Sequence, residues 1–254
     1  TAAMVKELRE MTGAGMMDCK KALTKTEGDM DAAVEFLREN GLAKAAKKAG
    51  RIAAEGLVAV ALSDDAKEAA IVEVNSETDF VAKNDTFKAY VAEVADQALT
   101  TAATDIEGFL AEDSKAEAGK TVKEALDGKI AVIGENLNIR RFAKVSAADG
   151  FVASYIHAGG KIGVLVEVAT DVVNDEIKEM ARNVAMQAAA LKPQFTSRDE
   201  VDEAFIEHEK SILMAQIQND PKEASKPEKV IQGMIQGLSL IHISEPTRPE
   251  PISY

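Results

Sequence analysis

The sequence predicts an α+β protein: a three-helix unit, then two copies of a strand–turn–strand–helix unit, then a helical hairpin. An internal repeat is the main evidence. Ala53-Ala54-Glu55-Gly56-Leu57-Val58-Ala59 is matched by Ala147-Ala148-Asp149-Gly150-Phe151-Val152-Ala153, and Val72-Glu73-Val74 by Val166-Glu167-Val168. Both pairs stand 94 residues apart (147 against 53, 166 against 72), and a constant offset marks a duplicated structural unit. The second observation is the run of helical patterns with glycine stops that precedes the first copy.

Val5, Leu8 and Met11 share one helical face, which Thr12-Gly13-Ala14-Gly15 stops. Met16 to Leu23 form a second helix. Gly28-Asp29 opens a third, with Ala33, Phe36 and Leu37 on one face and Asn40-Gly41 as its stop. Residues 1–41 are near the lower size limit for an independent fold, a size that suits docking better than catalysis. Residues 42–52 are a basic, alanine-rich connector, read as a solvated linker helix in preference to a contact for nucleic acid or an acidic partner.

Residues 53–146 and 147–198 hold the two copies. The first turns at Ser63-Asp64-Asp65-Ala66-Lys67, the second at the glycine hairpin signal His157-Ala158-Gly159-Gly160-Lys161. Alanine-rich helices follow at Phe87–Leu99 and Asp175–Leu191. A third strand, Leu137–Val145, is expected in the first copy alone. Lys129 to Arg141 then reads as helix end, turn and strand, with Arg140 and Arg141 alternating in and out. Residues 199–237 form a helical hairpin with Val201, Phe205, Ile212 and Ile217 on its first arm, a break at Asn219-Asp220-Pro221 and a second arm from Pro227 to Gly237. Residues 238–254 lose all periodicity, and Leu238 to Pro249 resembles a translated sequencing adapter. This tail is expected to be non-native.

Composition narrows the function. The chain has 254 residues, 30 basic and 43 acidic, for a net charge of −13. Nucleic-acid binding relies on clustered Lys and Arg, so direct binding of that kind is not expected. A basic patch on a protein partner is a better match. Aromatics are 4% and Trp is absent, which predicts thin, helix-rich cores of small side chains. The single cysteine, Cys19, rules out an internal disulfide and points to a reducing compartment; in its helical setting it reads as a small buried hydrophobe. No apolar run approaches the roughly 20 residues of a membrane span, and residues 1–9 enter a helix with no signal peptide. A cytoplasmic protein is expected. His208 falls on a charged helix, facing solvent, and His242 in the tail. No nucleophile, metal-ligand or phosphate-loop pattern emerges, so neither an enzyme nor a cofactor is expected.

Four features remain: the Gly13-Ala14-Gly15 loop, the segment 129–141, His157 beside its turn, and above all residues 71–80. There an apolar strand runs into Asn75-Ser76-Glu77-Thr78-Asp79 and ends on Phe80. Thr78 could cap a helix that buries the ring; alternatively, a rigid scaffold presents the acid and the ring for function. The position 94 residues after Phe80 is Asn174, so the duplicated scaffold does not itself require an aromatic.

Over roughly residues 1–237 the chain resembles the bacterial translation elongation factor Ts family. The carriers are Leu8 through Leu23, then Glu73-Val74-Asn75 with Thr78-Asp79-Phe80-Val81-Ala82-Lys83, then Ile133-Gly134-Glu135-Asn136, and Tyr155-Ile156-His157. The resemblance implies a guanine-nucleotide exchange factor for the GTPase elongation factor Tu, with an N-terminal ubiquitin-associated-like domain docked on the nucleotide-binding domain. Leu8, Gly13, Gly15 and Met16 would belong to that contact. Thr78, Asp79, Phe80 and Val81 would form the exchange loop, inserted near the switch helices to disturb Mg²⁺ and the phosphate-binding loop. Ile133 and Gly134 would touch the same domain, and His157 would add a contact from the second copy. The likeness is expected to stop at about Gly237, short of the family's C-terminal module. The alternative from a different class is a non-catalytic interaction adaptor.

Overall fold

Helices α1 (Ala2–Thr12), α2 (Met16–Lys25) and α3 (Met30–Lys48) open the chain. The computed structural model describes residues 1–195, 200–219, 229–230 and 233. Thr1 caps α1, and Gly13 ends it in the left-handed conformation (φ 66°), its N–H bonded to Arg9 O at 2.8 Å. Leu8, Cys19, Ala22, Leu23 and Ala33 bury against one another. Cys19 is fully buried, the small hydrophobe expected of it.

The stop expected at Asn40-Gly41 does not occur: α3 continues to Lys48. Gly41 is buried, and a Cβ there would lie 3.2 Å from Ala131 Cβ of α7 (Val122–Ile133). Glycine at this point serves close helix packing, which offsets its cost of about 1 kcal/mol in a helix interior. Arg38 and Glu124 tie the same two helices at 2.6 Å. Most of the connector is therefore helix, and Ala45 joins the core of the first copy.

That core forms under a three-stranded antiparallel sheet, β1 (Glu55–Leu62), β2 (Glu68–Ser76) and β3 (Leu137–Ser146), with β2 central. The short α4 (Asp79–Lys83) and the long α5 (Asp85–Thr100) follow β2, and α6 (Ile106–Ala111) precedes α7. One face of the sheet, with Ala61, Ala70, Val72 and Val74, packs on Phe87, Val91 and Val94 of α5. The other face receives the second copy's hairpin, β4 (Gly150–His157) and β5 (Ile162–Ala169). Gly163 permits that approach: a Cβ there would crowd Val58 and come within 2.8 Å of Ile71 Cδ1. Ala69, Ala147 and Val152 fill the seam. Adding 94 to the bounds of β1 and β2 gives 149–156 and 162–170, so the strand pairs follow the repeat. Arg140 and Arg141 do not alternate. The β2–β3 register shifts at Glu73/Val74, and both guanidinium groups turn to Glu73, Arg141 Nε at 2.7 Å and Arg140 Nε at 3.8 Å.

The first compact unit ends at Arg182, within α8 (Asp175–Leu191). In the second, α9 (Glu203–Asn219) falls within the residues expected to form a first helical arm, and the Phe195 and Phe205 rings meet edge to face at 5.0 Å. The second arm, apart from helical residues 229–230 and 233, and the tail 238–254 lie outside the described residues. Among the described residues no helix is long and apolar enough to cross a membrane.

The α5–α6 connection closes on one carboxylate. Glu112 accepts from Thr101 Oγ1 at 2.6 Å, Ala102 N at 3.2 Å and Ala103 N at 3.3 Å. Partial burial pushes its pKa up, but the bonds from Thr101, Gln97 and the two backbone amides outweigh that and hold it below the usual carboxylate range. A lowered folded pKa contributes stability above the unfolded value, lost as pH falls through the folded one. Glu112→Gln should thus destabilise the chain by about 1 kcal/mol at pH 7, and by clearly less at a pH well below the usual carboxylate range. Urea midpoints at the two pH values measure this; an equal gap at both would reject it.

Candidate functional site

β2 ends at Ser76, and within two residues the chain starts a new helix. Ser76, fully buried, donates its hydroxyl to Thr78 O at 3.0 Å. Thr78 caps α4, accepting from Val81 N at 3.4 Å. Asn84 stops α4 and caps α5 through Thr86 N at 2.8 Å. Two caps this close leave α4 five residues, with Ala82 buried as its anchor and Phe80 81% exposed. The capping half of the first reading holds, and the core aromatic half does not. Asp79 and Lys83 pair at 2.7 Å along α4. The hydrogen bond from Lys83 holds the Asp79 carboxyl below its ordinary range, and the same bond raises the Lys83 ammonium.

The segment expected to act with this loop lies against it. Gly134, left-handed at φ 88°, caps α7 and turns the chain. The next residue, Glu135, accepts from Thr78 N at 3.0 Å and Thr78 Oγ1 at 2.6 Å. In return Glu77 accepts from Asn136 N at 2.6 Å. Arg51, just past α3, approaches Glu77 at 3.5 Å, and its carbonyl accepts from Asn136 Nδ2 at 2.7 Å. Lys48 lies beside Gly134; partial burial first, then the Arg51 charge, lowers its pKa.

The N-terminal turn meets the same place. A Cβ on Gly13 would lie 3.7 Å from Val132 Cγ2 of α7. Gly13 and Gly15 are exposed, and Met16, Met17, Met11 and Val132 are exposed apolar side chains. Leu8 departs from expectation: its side chain is fully buried in the three-helix core, where it holds α1 to its neighbours and cannot reach a partner. Ile133 is half-buried.

His157 ends β4, exposed, with Nδ1 3.0 Å from the Tyr155 hydroxyl. Its turn is held to the start of β1: Gly160 O accepts from Val58 N at 2.7 Å, and Lys161 Nζ reaches Glu55 Oε2 at 2.5 Å. Glu55 O in turn accepts from Asn75 Nδ2 at 3.0 Å. Three segments distant in sequence therefore converge at one end of the sheet. Sequence reasoning missed Glu77 and Arg51 and gave Glu135 no role; their partners are too far along the chain for any local period to reveal them.

Fold and site define a class: an α+β protein whose duplicated scaffold holds one aromatic out in solvent. A family model described as Elongation factor TS matches residues 77–245. The chain is 55% identical over 236 residues to Elongation factor Ts of Clostridioides difficile (strain 630), covering 93% of this chain and 77% of that protein. It is 52% identical over 245 residues to Elongation factor Ts of Clostridium novyi (strain NT), covering 96% and 79%. The chain belongs to the elongation factor Ts family, translation elongation factors whose role is nucleotide exchange on elongation factor Tu. The likeness was expected to stop at about Gly237: the alignment to the C. difficile protein spans 236 residues, whereas the family model runs to residue 245.

Proposed function

We propose that this chain acts in the cytoplasm and promotes GDP release from elongation factor Tu by inserting Phe80 and Asp79, thereby displacing Mg²⁺. The observation that carries this is the exposure of Phe80 on a helix fixed at both ends. Burying a Phe side chain is worth roughly 1.5–3 kcal/mol, so a ring held in solvent on a fixed support favours use by a partner. Gly13, Gly15 and Met16 dock the three-helix unit, Ile133 and Gly134 extend the contact, and His157 adds one from the second copy.

The mechanism needs no covalent chemistry. Mg²⁺ bridges phosphate oxygens to its protein ligands, and a ring that favours a displaced arrangement of those ligands shifts the population toward weak nucleotide binding. The coupling is reciprocal: whatever ratio the factor takes from GDP affinity, GDP takes from the factor's. A coupling of about 1.4 kcal/mol gives tenfold. Adding the chain to elongation factor Tu loaded with fluorescent GDP, with excess unlabelled GDP, should release the label rapidly. An adaptor would bind and leave the spontaneous release rate unchanged, which would defeat the proposal.

A further inference from the structure

We propose that Glu135 is a positioning residue for exchange, acting through Thr78 to fix the direction of Phe80; this rests on the exchange reading above. Five residues of helix cannot hold a conformation alone, because a helical nucleus is unfavourable and its gains come with length. The first turn also leaves amide donors without intrahelical acceptors. Helix α4 has one internal answer, the long 3.4 Å bond from Val81 N to Thr78 Oγ1. The stronger restraint comes from outside. Glu135 accepts both the amide and the hydroxyl of Thr78, at 3.0 and 2.6 Å, from 57 residues away. Carboxylate acceptors bind roughly twice as strongly as neutral ones. By accepting the hydrogen bond that the hydroxyl donates, Glu135 also leaves a Thr78 Oγ1 lone pair free to face Val81 N.

The tie is reciprocal. Glu77 accepts from Asn136 N, 59 residues along the chain, and Asn136 reaches on to the Arg51 carbonyl. Each turn thus supplies a carboxylate to the other's backbone, and the left-handed Gly134 delivers Glu135 to its place. Phe80 lies two residues beyond Thr78 and has no burial of its own to orient it. Loosening Thr78 leaves the ring's chemistry intact but removes its aim.

The test is stopped-flow release of fluorescent GDP from elongation factor Tu across factor concentrations, giving a maximal rate and a half-saturating concentration. Glu135→Ala should lower the maximal rate about fivefold, with half-saturation within about twofold. In a Phe80→Ala background it should cause no further loss, a non-additivity that a general structural defect would not produce. Glu135→Gln keeps one acceptor oxygen and should fall between parent and Glu135→Ala; it decides the matter if the alanine variant does not fold. A maximal rate equal to the parent's in the folded variant, or an undiminished loss in the Phe80→Ala background, overturns the proposal. Slow release by Phe80→Ala beside normal release by Glu135→Ala removes the positioning role alone. Normal release by Phe80→Ala removes the exchange reading and this inference with it.

Discussion

Phe80→Ala is expected to cut the maximal rate of GDP release by about thirtyfold, roughly 2 kcal/mol, while half-saturation shifts less than about threefold. The split follows from where the ring sits. In the proposed complex, docking is shared by Gly13, Gly15, Met16, Ile133, Gly134 and His157, all outside α4. On that proposal the ring is one contact among many for binding, yet it is the only large apolar group that α4 holds out to solvent. If it favours the displaced state of the GTPase, its loss appears in the step that weakens nucleotide and little in encounter. Folding should be unaffected, since an 81% exposed ring contributes little to the core. A thermal melt matching the parent, read beside the stopped-flow rates, separates the two effects. A variant that releases GDP at the parent rate would end the insertion mechanism. One that loses rate and docking equally would make Phe80 an ordinary binding residue.

The second copy sharpens this expectation. Asn174, at the position equivalent to Phe80, accepts from Ile177 N at 2.9 Å and stands immediately before α8. Where the second copy starts one long helix, the first inserts a separately capped five-residue helix. Duplication thus supplied the scaffold twice, and only one copy carries the exposed ring. The repeat made this legible in the sequence, because strand–turn–strand units pair locally and a constant offset survives in the residues. The rest depended on long-range packing. Gly41 has the local look of a helix stop, yet it is a point of close approach to α7. Leu8 lies within a long family motif but is occupied by the three-helix core. Glu77 and Glu135 reach each other's turns only because α7 returns the chain to the end of β2, and no nearby residue signals that return. Arg140 lost its expected alternation to a register shift opposite Glu73, which pattern alone cannot place.

Gly56→Ala is expected to destabilise the chain by about 3 kcal/mol, read as a shift of the urea midpoint at unchanged slope. Gly56 has φ 140°, where side chains are strained, and an added Cβ would fall on Val74 O and within 2.6 Å of Asn75 Cα. Both obstacles are backbone of the paired strand, so no rotamer change relieves them. Gly150, the equivalent residue of the second copy, has φ 121° and the same conflict with Val168 O. Val168 in turn stands 94 residues after Val74. Two copies with different neighbours have kept one solution, which assigns the constraint to the strand crossing itself. The consequence reaches the site. Glu55 carries the carbonyl that Asn75 binds and the carboxylate that Lys161 binds, so forcing β1 from β2 loosens the loop and the His157 turn together. Gly50→Ala is the control: nothing lies within 4 Å of its added Cβ, and its midpoint should move by no more than about 0.5 kcal/mol. If Gly56→Ala unfolds at the parent's midpoint, β1 and β2 can separate at this end without cost, and the rigidity argued for the support of Phe80 is gone.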